Sequence, residues 1–114
     1  MLFIYTETYC AILTFDLENA DAENYEYLSK KLEEISLTRN PVGKDSNDEK
    51  EVKLNLPNNV YFADFNKERF ESPNALRKYL KGKLDKVFKN LNLKGKYSLV
   101  VGTNWVGMVE DIYK

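Results

Sequence analysis

Histidine is missing altogether, and cysteine occurs once, as Cys10. Without histidine there is no Ser–His or Cys–His catalytic pair, no imidazole metal ligand, and no use of the commonest general base. One cysteine forms no disulfide within the chain and holds no multi-cysteine zinc or iron–sulfur centre. That usage suits a reducing compartment, and a cytoplasmic location is expected. Neither G-x-x-x-x-G-K-[ST] nor G-x-G-x-x-G occurs, so both phosphate-cradling fingerprints are absent. No apolar run approaches the ~20 residues that span a bilayer, and no membrane association is expected. The opening "MLFIYTETYC" lacks a basic leader and a small-residue cleavage site, so no signal peptide is expected. Carboxylates, lysines, arginines, tyrosines and hydroxyls remain for chemistry. Such a set suits a hard cation such as Mg²⁺ better than zinc.

The 114 residues make one domain, 1–114, with 43% apolar and 31% charged side chains. The net charge of −1 hides an asymmetry. Between Glu7 and Glu34 eight acids face only Lys30 and Lys31, whereas between Arg77 and Lys96 eight bases face only Asp85. A basic stretch of this kind meets phosphates or the acidic part of a second copy.

Alternation in "YCAILTF" predicts a strand over Tyr9–Phe15. Tyr9, Ala11, Leu13 and Phe15 fall on the more apolar face, and Cys10, Ile12, Thr14 and Asp16 on the other. Asp21 is the expected N-cap of a helix over roughly Ala22–Ile35, with Tyr25, Leu28, Leu32 and Ile35 as its buried stripe. Residues 43–53 are rich in Gly, Asp, Asn and Ser and read as a mobile loop. Either 36–42 or 51–56 supplies the second strand; pattern alone leaves both open. "VYFADF" is a strand. Ser72–Pro73 starts a second helix whose stripe is Leu76, Leu80, Leu84, Val87 and Leu91. "KYSLVVG" is the last strand, and 103–114 forms a C-terminal tail packed on the domain or a partner. Trp105 covers otherwise open surface there.

The order β-α-β-β-α-β predicts an α+β, ferredoxin-like βαββαβ fold: a four-stranded antiparallel sheet with two helices on one face. The other face has no helical cover, which makes a homodimer the expected state. The segments "ILTFDLE", "LPNNVYFADF", the basic helix and "KYSLVVGTNW" together resemble a set of small bacterial ferredoxin-like proteins. That set holds the CRISPR-associated adaptation endonucleases, the VapD-type toxins and the GhoS-type antitoxin ribonucleases.

The resemblance implies an aspartate at the end of the first strand, here Asp16, acting in Mg²⁺-dependent phosphodiester cleavage at a dimer interface. If the first and third strands run parallel, Asp64 near the end of "VYFADF" comes close to Asp16, and the two share one metal ion. Lys78, Lys81, Lys86 and Lys89 are the candidate nucleic-acid contacts. Each feature also has a plainer account. Strand-end acids feed solvent and start turns, and lysine-rich helix faces are usually just solvated. A pI of ≈ 5.5 does not suit a dedicated nucleic-acid binder. The expected function is therefore a non-catalytic or weakly nucleic-acid-associated interaction module, with RNA or a partner protein as candidate partners. The alternative is a metal-dependent endoribonuclease of toxin–antitoxin or CRISPR-associated type that uses Asp16.

Overall fold

The computed structural model describes residues 2–44, 50–57, 59–109 and 112. The chain is α+β, with an antiparallel sheet and two helices. The central strand β1 runs from Leu2 to Glu18, with β4 (Val60–Phe65) and β5 (Lys94–Val109) as its main neighbours. Both run antiparallel to β1: Tyr9 pairs with Phe65 and Thr14 with Val60, while Leu2 pairs with Val109 and Glu18 with Lys94. The three form the body of the sheet.

The fourth strand of the expected sheet is reduced to one bridge. Thr38 and Phe62 exchange backbone hydrogen bonds of 2.8 and 2.7 Å. The chain then turns into a two-stranded ribbon of β2 (Val42–Lys44) and β3 (Glu51–Lys53), which reaches the first half of β1 at Tyr5↔Lys44. Of the two candidates for second strand, 36–42 thus touches β4, and 51–53 pairs with 42–44. The expected 43–53 loop is partly this ribbon, and its residues 45–49 lie outside the described residues.

β1 and β5 are both longer than their alternation suggested. Most of the expected 103–114 tail is strand, through Val109; residues 110, 111, 113 and 114 lie outside the described residues.

Helix α1 spans Ala22–Glu34 and α2 spans Pro73–Asn90. Asp21 caps α1 in a reciprocal box: it accepts from the Asn24 backbone N–H at 2.8 Å, and the Asn24 side chain accepts from the Asp21 N–H at 3.0 Å. This satisfies two otherwise orphaned donors. Ser72 accepts from the Ala75 N–H at 3.1 Å ahead of Pro73, and Asn92, at φ 53, ends the turn that follows α2.

Both helices bury their stripes on one face of the sheet. Leu28 and Leu32 of α1 meet Leu76, Leu80, Leu84 and Phe88 of α2 over Ala11, Leu13, Phe15, Tyr61, Ala63 and Phe65. Phe15 stacks between Tyr25 and Tyr61 at centroid distances of 6.2 and 5.7 Å. An 18-residue helix is about 27 Å long and covers only eight or so strand residues. The core accordingly lies under the second half of β1. No helix among the described residues is long and apolar enough to cross a membrane.

Candidate functional site

The sheet face turned away from the helices carries the even-numbered residues of β1 from Cys10 to Asp16. Directly opposite residues on adjacent antiparallel strands share a face. Ile12 is therefore flanked by Phe62 on β4 and Val100 on β5, and Cys10 by Asp64 and Gly102. Ile12 is 41% exposed and Val100 59% exposed, side by side at the centre of this face. Ser98 and Thr14 continue it toward the Asp16–Lys96 pair at one end.

At the other end the alternation breaks. Two residues of β1, Glu7 and Thr8, stand opposite the single Asn104 of β5, whose φ is 55. The extra residue lies in β1, and the left-handed backbone at Asn104 breaks the alternation of β5 at the same point. Trp105 would otherwise follow Val101 and Thr103 toward the helices. Instead its ring lies 4.4 Å from that of Phe62, on the open face. Phe62 is consequently buried although no helix covers it.

A small polar group sits beside this aromatic pair. Burial of its carboxyl pushes Asp64 above the usual carboxylate range, although the residue as a whole is exposed, and the nearby Trp105 N–H opposes the shift. The indole nitrogen nevertheless forms no hydrogen bond of normal geometry. It is buried without a partner, as is the Thr8 hydroxyl. Burial also raises the Cys10 thiol, and the Asp64 charge adds to that rise. A thiol held in its neutral form is a poor nucleophile, so Cys10 is a packing residue here.

The antiparallel pairing of β1 and β4 separates the two expected metal ligands. Asp64 pairs with Cys10, six residues from Asp16, which is about 20 Å along a strand. They lie on one face but at opposite ends, so within one chain they do not share a cation. Among the described residues there is no group of three or more His, Cys, Asp or Glu side chains that could hold a metal. Asp16 is exposed and stands across from Lys96. An opposite-charge cross-strand pair of this kind stabilises a strand end modestly. Within one chain, Asp16 and Asp64 therefore do not assemble a Mg²⁺ site.

Lys78, Lys81, Lys86 and Lys89 all project from the exposed surface of α2, on the helix side and away from Asp16's face. Lys81 is engaged with Asp85, which also accepts a 2.8 Å hydrogen bond from the Tyr97 hydroxyl. These two hydrogen bonds hold Asp85 below its usual range. Tyr97, partly buried and bonded to that carboxylate, is pushed up to about 12.

No protein-family model, no curated protein and no solved structure matches the chain. Sequence reasoning foresaw Trp105 as a cover over open surface but not its partner Phe62. The signal was Asn104 just before Trp105, a residue type that tolerates the left-handed backbone which reverses the alternation of β5.

Proposed function

We propose that the chain is a ferredoxin-like, non-catalytic interaction module that pairs with a second copy through its open sheet face. The outer strand of the ferredoxin-like sheet is, on this reading, the single Thr38–Phe62 bridge. The carrying observation is the exposed Ile12–Val100 pair at the centre of a face with no helix over it. Around it stand small or polar residues, Thr14, Ser98 and Gly102, and then the charges Asp16, Lys96 and Asp64. An apolar centre inside a polar rim is the usual layout of a protein interface. The charges also suit self-pairing. A two-fold axis across β1 lays the Asp16–Lys96 end of one copy over the Asp64 end of the other, where Lys96 offsets the approach of the two acids.

Sedimentation equilibrium tests the pairing. The wild-type chain is expected to dimerise, and Val100→Glu to be monomeric with nearly unchanged folding stability, because Val100 already faces water. A wild-type chain that stays monomeric would sink the proposal. Incubation with mixed RNA and Mg²⁺, wild type beside Asp16→Asn, tests the absence of catalysis. Cleavage that disappears in Asp16→Asn would replace this reading with the endoribonuclease.

A further inference from the structure

A cleft of ≈ 720 Å³ opens on the helix side, walled by Tyr25, Glu26 and Ser29 of α1 and by Arg39, Asn59 and Tyr61. It follows from the shortened outer edge of the sheet. Past Thr38 the chain turns away from β4, and Arg39 stands where an outer strand would run on. The backbone at Arg39 is held firmly. Thr38 is bonded to Phe62 on one side, the Arg39 carbonyl accepts from the Leu56 N–H at 2.8 Å, and the Asn40 side chain donates to the Leu54 carbonyl at 3.2 Å.

The Arg39 guanidinium is not matched by its surroundings. It is partly buried, yet among the described residues its one hydrogen bond runs from Nη2 to the Leu56 carbonyl at 3.3 Å. Its Nε is buried without a partner. None of the ion pairs among the described residues involves it. A guanidinium with a buried, unpartnered Nε and no ion pair among the described residues has donors to offer, and its planar fork suits carboxylate and phosphate oxygens. Ser29 and Asn59 add further donors at the same cleft. Glu26 is the one acid in the wall, and Lys30 lies 3.9 Å from its carboxylate. Tyr25, 38% exposed and backed by Phe15, offers a flat apolar wall. The volume falls in the ~300–1,000 Å³ range of small-molecule sites and exceeds what a bare oxyanion fills.

We propose that this cleft binds a small molecule with an oxyanion head, either a phosphate monoester or a carboxylate, anchored by Arg39 with its body against Tyr25. The site is on the opposite side of the sheet from the Ile12–Val100 face and does not depend on dimer formation.

The test is a titration of the full chain, followed by backbone amide NMR shifts, with inorganic phosphate, phenyl phosphate and benzoate at constant ionic strength. Saturable shifts are expected at Ser29, Arg39, Asn40 and Asn59, with phenyl phosphate tighter than inorganic phosphate. The ratio of phenyl phosphate to benzoate affinity identifies the head group. Arg39→Lys keeps the charge but loses the fork, and should weaken binding about tenfold or more. Ser29→Ala, which removes one donor from the cleft wall, should weaken it a few-fold; Lys86→Gln and Val100→Glu should leave it unchanged. The proposal is overturned by shifts that map to the α2 lysines or by equal affinity in Arg39→Lys. Absence of saturation with all three probes at about 20 mM, weaker than any useful site, also overturns it.

Discussion

Replacing Gly95 by alanine should be among the most damaging single-methyl changes in this chain. Gly95 pairs with Leu17 at the end of the β1–β5 ladder and has φ +145. A Cβ there would lie 2.1 Å from the Asp16 carbonyl oxygen and 2.9 Å from the Leu17 Cα. Both are backbone atoms, so no side-chain rotation relieves the overlap and the strands must part. The backbone conformation alone costs an L-residue about 1–3 kcal/mol. Opening the end of the ladder forfeits one or two hydrogen bonds at about 1 kcal/mol each. The total is about 2–5 kcal/mol, a large part of the 5–15 kcal/mol typical of a whole domain. With a urea slope of about 2 kcal/mol/M, the unfolding midpoint should drop by roughly 1–2.5 M. Gly102→Ala is the control in the same strand, since a Cβ there meets nothing within 4 Å. Gly82→Ala, inside α2 and equally open, should raise stability by about 0.5–1 kcal/mol. Urea melts of the three variants decide the matter. A Gly95→Ala midpoint equal to that of Gly102→Ala would refute the steric reasoning.

Two further predictions concern pH. Asp64 has its carboxyl raised by burial, so its ionisation works against the fold: the associated stability is complete below the unfolded value and is lost as pH rises through the folded one. Asp64→Asn should therefore raise the melting temperature at pH 7, and the gain should vanish as pH falls below the usual carboxylate range. Tyr97 also has a raised value, about 12. Its contribution should persist through pH 10 and disappear as pH rises through 12, and phenolate absorbance should show one late tyrosine that is missing in Tyr97→Phe.

The parts of the fold legible from sequence were those set by local periodicity. Ala11, Leu13 and Phe15 alternate into the core, and Ser72–Pro73 with the Leu76–Leu80–Leu84 stripe places α2. Phe88 escaped because the stripe was counted through Val87, its neighbour on the same buried arc. Strand direction left no mark in the pattern. The alternation of "VYFADF" is the same read either way, so the nearness of Asp16 and Asp64 rested on a parallel pairing that the ladder does not have. The outer edge was illegible for a different reason. It is decided by one long-range bridge at Thr38 and by the Arg39–Leu56 and Pro41–Leu54 hydrogen bonds, amid residues with little regular alternation. Arg39 could have been noticed only as a lone base between the acidic and basic parts of the chain.

The pairing of β1 with β5 has a consequence for how the protein is made. Leu2 finds its partner at Val109 and Glu18 at Lys94, so one edge of the central strand waits until residues 94–109 have been made. Until then a growing polypeptide holds an apolar β-prone segment with unpaired backbone, the kind of edge that recruits other chains. Contacts this distant in sequence close slowly, on the millisecond-to-second scale common for non-local sheets. Synthesis that stalls after α2 but before Lys94 should therefore release a chain with two formed helices and an aggregation-prone strand.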